Sequence, residues 1–152
     1  MTAHAASLAE EISGSIASAP NSTTAMERAV HILKTKRPNY SWVGIYLLEG
    51  DELVLGPFLG KPSPHTRIPL NRGICGAAAS QKQTITVDDV NSDPRYLACS
   101  IETKSEIVVP IMDGDRVLGE IDIDSDKHAA FGDDDRALLE KIAGALAKKL
   151  RT

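Results

Sequence analysis

Apolar residues recur with a helical period at both ends of the 152-residue chain and with strand texture between them. Leu8, Ile12 and Ile16, at i, i+4 and i+8, draw one stripe of an amphipathic helix over Ala5 to Ile16. Pro20, Asn21 and Ser22 interrupt it. A second helix is expected from Thr23 or Thr24, with Glu27 completing a capping box on Thr24. Met26, Ala29, Val30 and Leu33 form its buried side, and Pro38 requires it to stop by Arg37. From Ser41 the texture changes. Trp42-Val43-Gly44-Ile45-Tyr46-Leu47-Leu48 is β-branched and aromatic, and Leu53-Val54-Leu55 resumes after the turn at Glu49 to Glu52, which predicts a hairpin. Pro57, Pro62 and Pro64 predict an irregular stretch up to an extended Arg67-Ile68-Pro69. A short, small-residue helix follows from Ile74 to Ser80, then a strand at Thr84 to Val87 and a polar loop from Asp88 to Tyr96. Glu106 to Ile111 and Val117 to Asp124 read as two strands joined by Asp113-Gly114-Asp115. The last helix runs from Asp133 to Leu150, with acids at its start and Lys148 and Lys149 at its end, as the helix dipole favours.

This order predicts an α+β fold, an α/β layered sandwich whose central, mostly antiparallel sheet carries the terminal helices on one side. Length and an apolar share of 42% fit one domain over residues 1–152, with 1–20 as an N-terminal helical extension. The 17 basic and 21 acidic residues leave a net charge of −4 with no basic block, which argues against a nucleic-acid partner. No apolar run approaches the ~18–20 residues that span a bilayer, so no membrane is expected. Met1 to Pro20 lacks a basic start and carries Glu10 and Glu11, unlike a signal peptide, so the expected location is cytoplasmic. The two cysteines, Cys75 and Cys99, lack a zinc spacing and make no disulfide scaffold; they are expected as resting thiols, structural or redox-active.

Three constellations carry candidate chemistry. Strand alternation puts Glu120, Asp122 and Asp124 on one face, and Glu106 opens the neighbouring strand. Such a patch is either a solvated outer face or a socket for a cationic group in which at least one carboxyl stays protonated as a donor. A divalent metal is the third option, but no His lies nearby in sequence except His128, and no metal site is assigned. Trp42 and Tyr46 share a strand face with Gly44 between them, either as core aromatics or as two walls with a gap for a small apolar group such as a methyl. Cys75 opens the short helix beside Arg72, a setting expected to lower its pKa. Cys99 lies in a loop close to Lys104, a placement suited to a nucleophile. Both can also be buried filler. His4, His31 and His128 read as surface residues.

Six motifs together resemble a known family. Trp42 to Leu48, Leu53 to Lys61, Arg67-Ile68-Pro69 with Arg72-Gly73-Ile74-Cys75-Gly76, Ala98-Cys99, Ser105 to Pro110, and Asp122-Ile123-Asp124-Ser125 are similar to the GAF-domain free methionine-(R)-sulfoxide reductases over about residues 24–150. The resemblance implies a GAF fold, often a homodimer, and reduction of free methionine-(R)-sulfoxide rather than of protein-bound residues. It implies Cys99 as nucleophile, Trp42 and Tyr46 as holders of the sulfoxide methyl, and Glu106, Asp122 and Asp124 as the carboxylates for the ammonium and sulfoxide oxygen. It also implies a sulfenic acid on Cys99, a disulfide with a second thiol, recycling by thioredoxin or another thiol reductant, and no metal or organic cofactor. Family members commonly carry a third cysteine where this chain has His65, which leaves three routes: Cys75 resolves directly, an external thiol such as thioredoxin or glutathione attacks the Cys99 sulfenic acid, or activity is lost. Two other functions stay open: a non-catalytic GAF sensor for a small amino-acid-like or nucleotide ligand, and a peroxide-sensing thiol protein.

Overall fold

The computed structural model describes residues 1–97 and 102–151. In chain order these form helices α1 (Ala3–Ala17) and α2 (Ser22–Lys36), strands β1 (Trp42–Glu49), β2 (Glu52–Leu59) and β3 (Arg67–Pro69), helix α3 (Gly73–Gln81), strands β4 (Ile85–Val87), β5 (Ser105–Asp113) and β6 (Arg116–Ser125), and helix α4 (Asp133–Leu150). The sheet has the order β3-β2-β1-β6-β5-β4, and its neighbouring pairs are antiparallel. The α+β sandwich expected from the element order is what forms.

The helical stripes close one side of this sheet. Leu8, Ile12 and Ile16 of α1, Met26, Val30 and Leu33 of α2, and Leu138, Ile142 and Leu146 of α4 share one core with Val43, Ile45, Ile107, Val109, Ile121 and Ile123. Each such side chain contributes about 1.5–3 kcal/mol through burial, which fixes which face of β1, β5 and β6 turns toward the helices. The same alternation sends Trp42, Tyr46, Val108 and the β6 acids to the opposite face, under α3. The fold thereby separates a dry helical side from a side built for chemistry.

Two local expectations are corrected. Helix α2 starts earlier than Thr23: the Asn21 side chain accepts from the Thr24 amide at 2.8 Å, so Thr24 lies inside the first turn instead of capping it. Asn is among the strongest N-cap residues and stands at the chain's exit from Pro20. Strand β2 also does not stop at Leu55. It continues through Pro57 to Leu59, because β1 offers Ile45 alone opposite Gly56 and Pro57. That bulge is a place where the missing proline N–H costs no ladder bond.

Gly119 holds β6 against β1. A Cβ there would meet the Tyr46 carbonyl oxygen at 2.2 Å, and backbone in the sheet centre has nowhere to retreat. Gly119→Ala is expected to cost about 3 kcal/mol, at the upper end for overpacking. A denaturant midpoint equal to that of the parent chain would show that the two strands tolerate separation.

Candidate active site

Strand β6 carries the acids through the middle of the sheet. Asp122 lies opposite Gly44 of β1 and Val108 of β5; Asp124 lies opposite Trp42 and Glu106; Glu120 lies opposite Tyr46. Their relative exposures are 0% for Glu120, 4% for Asp122 and Asp124, and 6% for Glu106. The solvated-face alternative is thereby removed. Burial drives the pKa of Glu120 and Asp124 well above the ordinary carboxylate range, with the charge of Asp122 adding to both. Burial raises Asp122 too, while hydrogen bonds from Glu106 and Cys75 pull it back. Glu106 faces both Asp122 and Asp124, and a carboxyl-to-carboxyl hydrogen bond in this group requires a proton. Both Glu120 oxygens, Asp122 Oδ1 and Asp124 Oδ1 lack an aligned hydrogen-bond partner among the described residues. Buried acceptors left in that state cost free energy until a donor arrives.

Aromatic residues wall the acids. The Trp42 indole donates to the Lys61 carbonyl at 2.9 Å and stacks on Phe58, with centroids 5.7 Å apart. Tyr46 lies 6.4 Å from Trp42 and donates its hydroxyl to the His65 carbonyl at 2.7 Å. Both side chains thus tie down the segment from Lys61 to His65. The gap expected over Gly44 is not open: a Cβ there would meet Trp42 Cη2 at 2.2 Å, so the indole itself occupies the space that glycine leaves. Glycine is required because the aromatic wall folds across the strand.

A cavity of ≈ 190 Å³ opens beside this wall, with Trp42 and Asp124 in its lining. It is smaller than the ~300–1,000 Å³ typical of sites for drug-sized ligands, which suits a single small molecule. Lys61, Ser63, Glu102 and Thr103 also line it, and the Lys61–Glu102 ion pair at 2.8 Å spans its rim. These four had no signal in the sequence beyond their position beside motifs, since the cavity joins segments about 40 residues apart in the chain.

Cys75 does not have the environment expected of it. The thiol is 5% exposed, and burial together with Asp122, Glu120 and Glu106 pushes its pKa up. The start of α3 and the exposed Arg72 are outweighed by desolvation and three acids. Its sulfur, a Glu106 oxygen and an Asp122 oxygen lie within 4.8 Å of one another. Of the predicted site residues, the structure thus gathers Trp42, Tyr46, Cys75, Glu106, Asp122 and Asp124 on one side of the sheet. Cys99 lies outside the described residues. Glu120, named in the sequence only as a neighbour on the acidic face, is the most deeply buried of the acids; strict alternation along β6 was the signal. His4, His31 and His128 are exposed as expected.

Against known proteins, the family model of the GAF domain matches residues 22–150. The chain is 39% identical to the free methionine-R-sulfoxide reductase of Escherichia coli over 121 residues, 80% of this chain and 73% of that one. It is 43% identical to the enzyme of that name from Saccharomyces cerevisiae over 122 residues, 78% and 67% of the two chains. A free methionine-R-sulfoxide reductase from Neisseria meningitidis, solved in complex with its substrate, superposes with a TM-score of 0.92 at 35% identity, covering 99% of this chain and 92% of that one.

Proposed function

The chain belongs to the GAF-domain free methionine-(R)-sulfoxide reductases, and from that premise we propose that it reduces the free amino acid with Cys99 as the attacking thiol and its buried acids as the clamp for the ammonium group. As a member of that family it is an oxidoreductase. The observation that carries the proposed site is the buried Asp124 carboxyl, one oxygen of it without an aligned partner, in the lining of a cavity walled by Trp42. An ammonium supplies both the charge and the three donors that such oxygens want.

In the proposed sequence the Cys99 sulfur attacks the sulfoxide sulfur while a protonated carboxyl of the Glu106, Asp122, Asp124 group gives its proton to the oxygen. Burial raises the proton affinity of Asp122 and Asp124, and the charge of Asp122 raises that of Asp124 further. The hydroxyl then passes from the methionine sulfur to the Cys99 sulfur as the S–O bond and the transient S–S bond break, so that methionine departs and Cys99 is left as sulfenic acid. A second thiol then condenses with it, releasing water and leaving a disulfide. Thioredoxin or another thiol reductant returns both sulfurs to thiols by exchange. Cys75 fills the second role in this reading. Trp42 and Tyr46 hold the methyl side of the substrate. The reading places the chain in the cytoplasm as a homodimer; among the described residues no helix is long and apolar enough to cross a membrane.

The test is NADPH consumption coupled through thioredoxin and its reductase, with both sulfoxide epimers and with the N-acetylated (R)-epimer. Turnover is expected with the free (R)-epimer alone. Acetylation removes the ammonium and would bury the acids against a neutral amide, a loss of several kcal/mol. Equal rates on free and acetylated substrate would defeat the clamp.

A further inference from the structure

Beneath the proposed ammonium site lies a donor set of a different kind. Cys75 Sγ and one oxygen each from Glu106 and Asp122 lie within 4.8 Å of one another, all three residues buried. They come from three separate elements: α3, β5 and β6. Glu120 adds an independent feature. It is wholly buried, its carboxyl faces the Cys75 thiol, and neither oxygen has an aligned hydrogen-bond partner among the described residues. No Lys or Arg is paired with Glu120, Asp122 or Asp124 among those residues, so the acids hold no fixed countercharge there. Buried carboxyls without a fixed countercharge favour a cation that can displace their protons.

We propose that Cys75, Glu106 and Asp122 form a binding site for a divalent metal ion of the zinc type, with the Glu120 carboxyl as its supporting neighbour. One thiolate and two carboxylates match a borderline-soft ion that accepts S and O ligands together, and three protein ligands leave a fourth position for water. Around tetrahedral Zn²⁺ such donors stand about 3.3–3.6 Å apart, so the set must close by little more than about 1 Å. Binding displaces the Cys75 proton and any proton held between Glu106 and Asp122 to solvent, and forms metal–sulfur and metal–oxygen bonds without change of oxidation state. Glu106 and Asp122 are also the acids assigned to the substrate ammonium, so metal and substrate exclude one another. The competition rests on that reading of the substrate site; the metal site does not.

Co²⁺ alone, added to the reduced chain, is the probe, because thiolate ligation produces a charge-transfer absorption whatever the catalytic state. One equivalent is expected to bind with that band. Cys75→Ser should remove the band, and Asp122→Asn, which keeps the thiol, should weaken binding about tenfold or more. His128→Ala, which alters the exposed His128–Asp89 pair, should leave it unchanged. Zn²⁺ should displace the cobalt and bleach the band. No stoichiometric band in the parent chain, or a band of full intensity in Cys75→Ser, overturns the site. In Cys99→Ser, which is expected to bind substrate without oxidising Cys75, free methionine-(R)-sulfoxide should raise the apparent Kd for Co²⁺ in proportion to its concentration. An intact band indifferent to substrate leaves the metal site standing and instead overturns the placement of the ammonium on Glu106 and Asp122.

Discussion

Asp122→Asn is expected to lower kcat/KM for free methionine-(R)-sulfoxide by about 10²–10³-fold and, in the same protein, to raise the melting temperature of the ligand-free chain at the alkaline end of the folded range. The two effects share one cause. Asp122 is buried in mid-sheet with one oxygen lacking an aligned partner, so its charge is costly until an ammonium arrives. Truncating one member of a buried charge pair typically costs about 3–5 kcal/mol, and each ~1.4 kcal/mol is a factor of ten in rate. Without ligand the sign reverses. Burial raises the Asp122, Asp124 and Glu120 carboxyls, so the folded chain keeps protons that the unfolded chain has released above about pH 4. Their contribution to stability is fully present below that range and falls as pH rises toward the elevated folded values. Asparagine at 122 removes part of that slope. Melting curves from pH 4 to 8, with and without substrate, are the measurement. A variant less stable than the parent at pH 8 would mean that the bonds from Glu106 and Cys75 outweigh the cost of burying Asp122 in the ligand-free fold.

Cys99→Ser is expected to abolish turnover while substrate still binds, as read by calorimetry with methionine-(R)-sulfoxide. A hydroxyl cannot supply the thiolate nucleophile, and the proposed acids and aromatic wall that bind the ligand stay in place. Cys75→Ser is the contrasting variant. Its thiol is held protonated by burial and three acids, a slow nucleophile toward a sulfenic acid. Turnover driven by thioredoxin should fall in Cys75→Ser and be restored by a small monothiol that attacks Cys99 directly. Residual thioredoxin-driven turnover in Cys99→Ser would move the chemistry to another residue. Binding without turnover in the parent chain would favour the sensor reading over the reductase.

Most of the scaffold is written in local periodicity. The stripe at Leu8, Ile12 and Ile16 and the alternation of Ile121 and Ile123 with Asp122 and Asp124 each declare which side packs in the helical core. A run of residues fixes its own faces when one face is apolar, because a slip by one position would expose it. The candidate acids were legible for the same reason. Only their surroundings were not.

Sequence by itself determined the order of the elements, the face each one buries and the residue types available for chemistry. Tertiary structure alone decided the dielectric around them. It turned an apparently activated Cys75 into a thiol held protonated, because acids from two strands converge on α3. It laid the Trp42 ring over Gly44, carried β2 through Pro57 at a bulge, and built the cavity wall from Lys61, Ser63, Glu102 and Thr103. Charge, proton affinity and cavity shape depend on neighbours distant in the chain, and nearest-residue patterns carry no record of them.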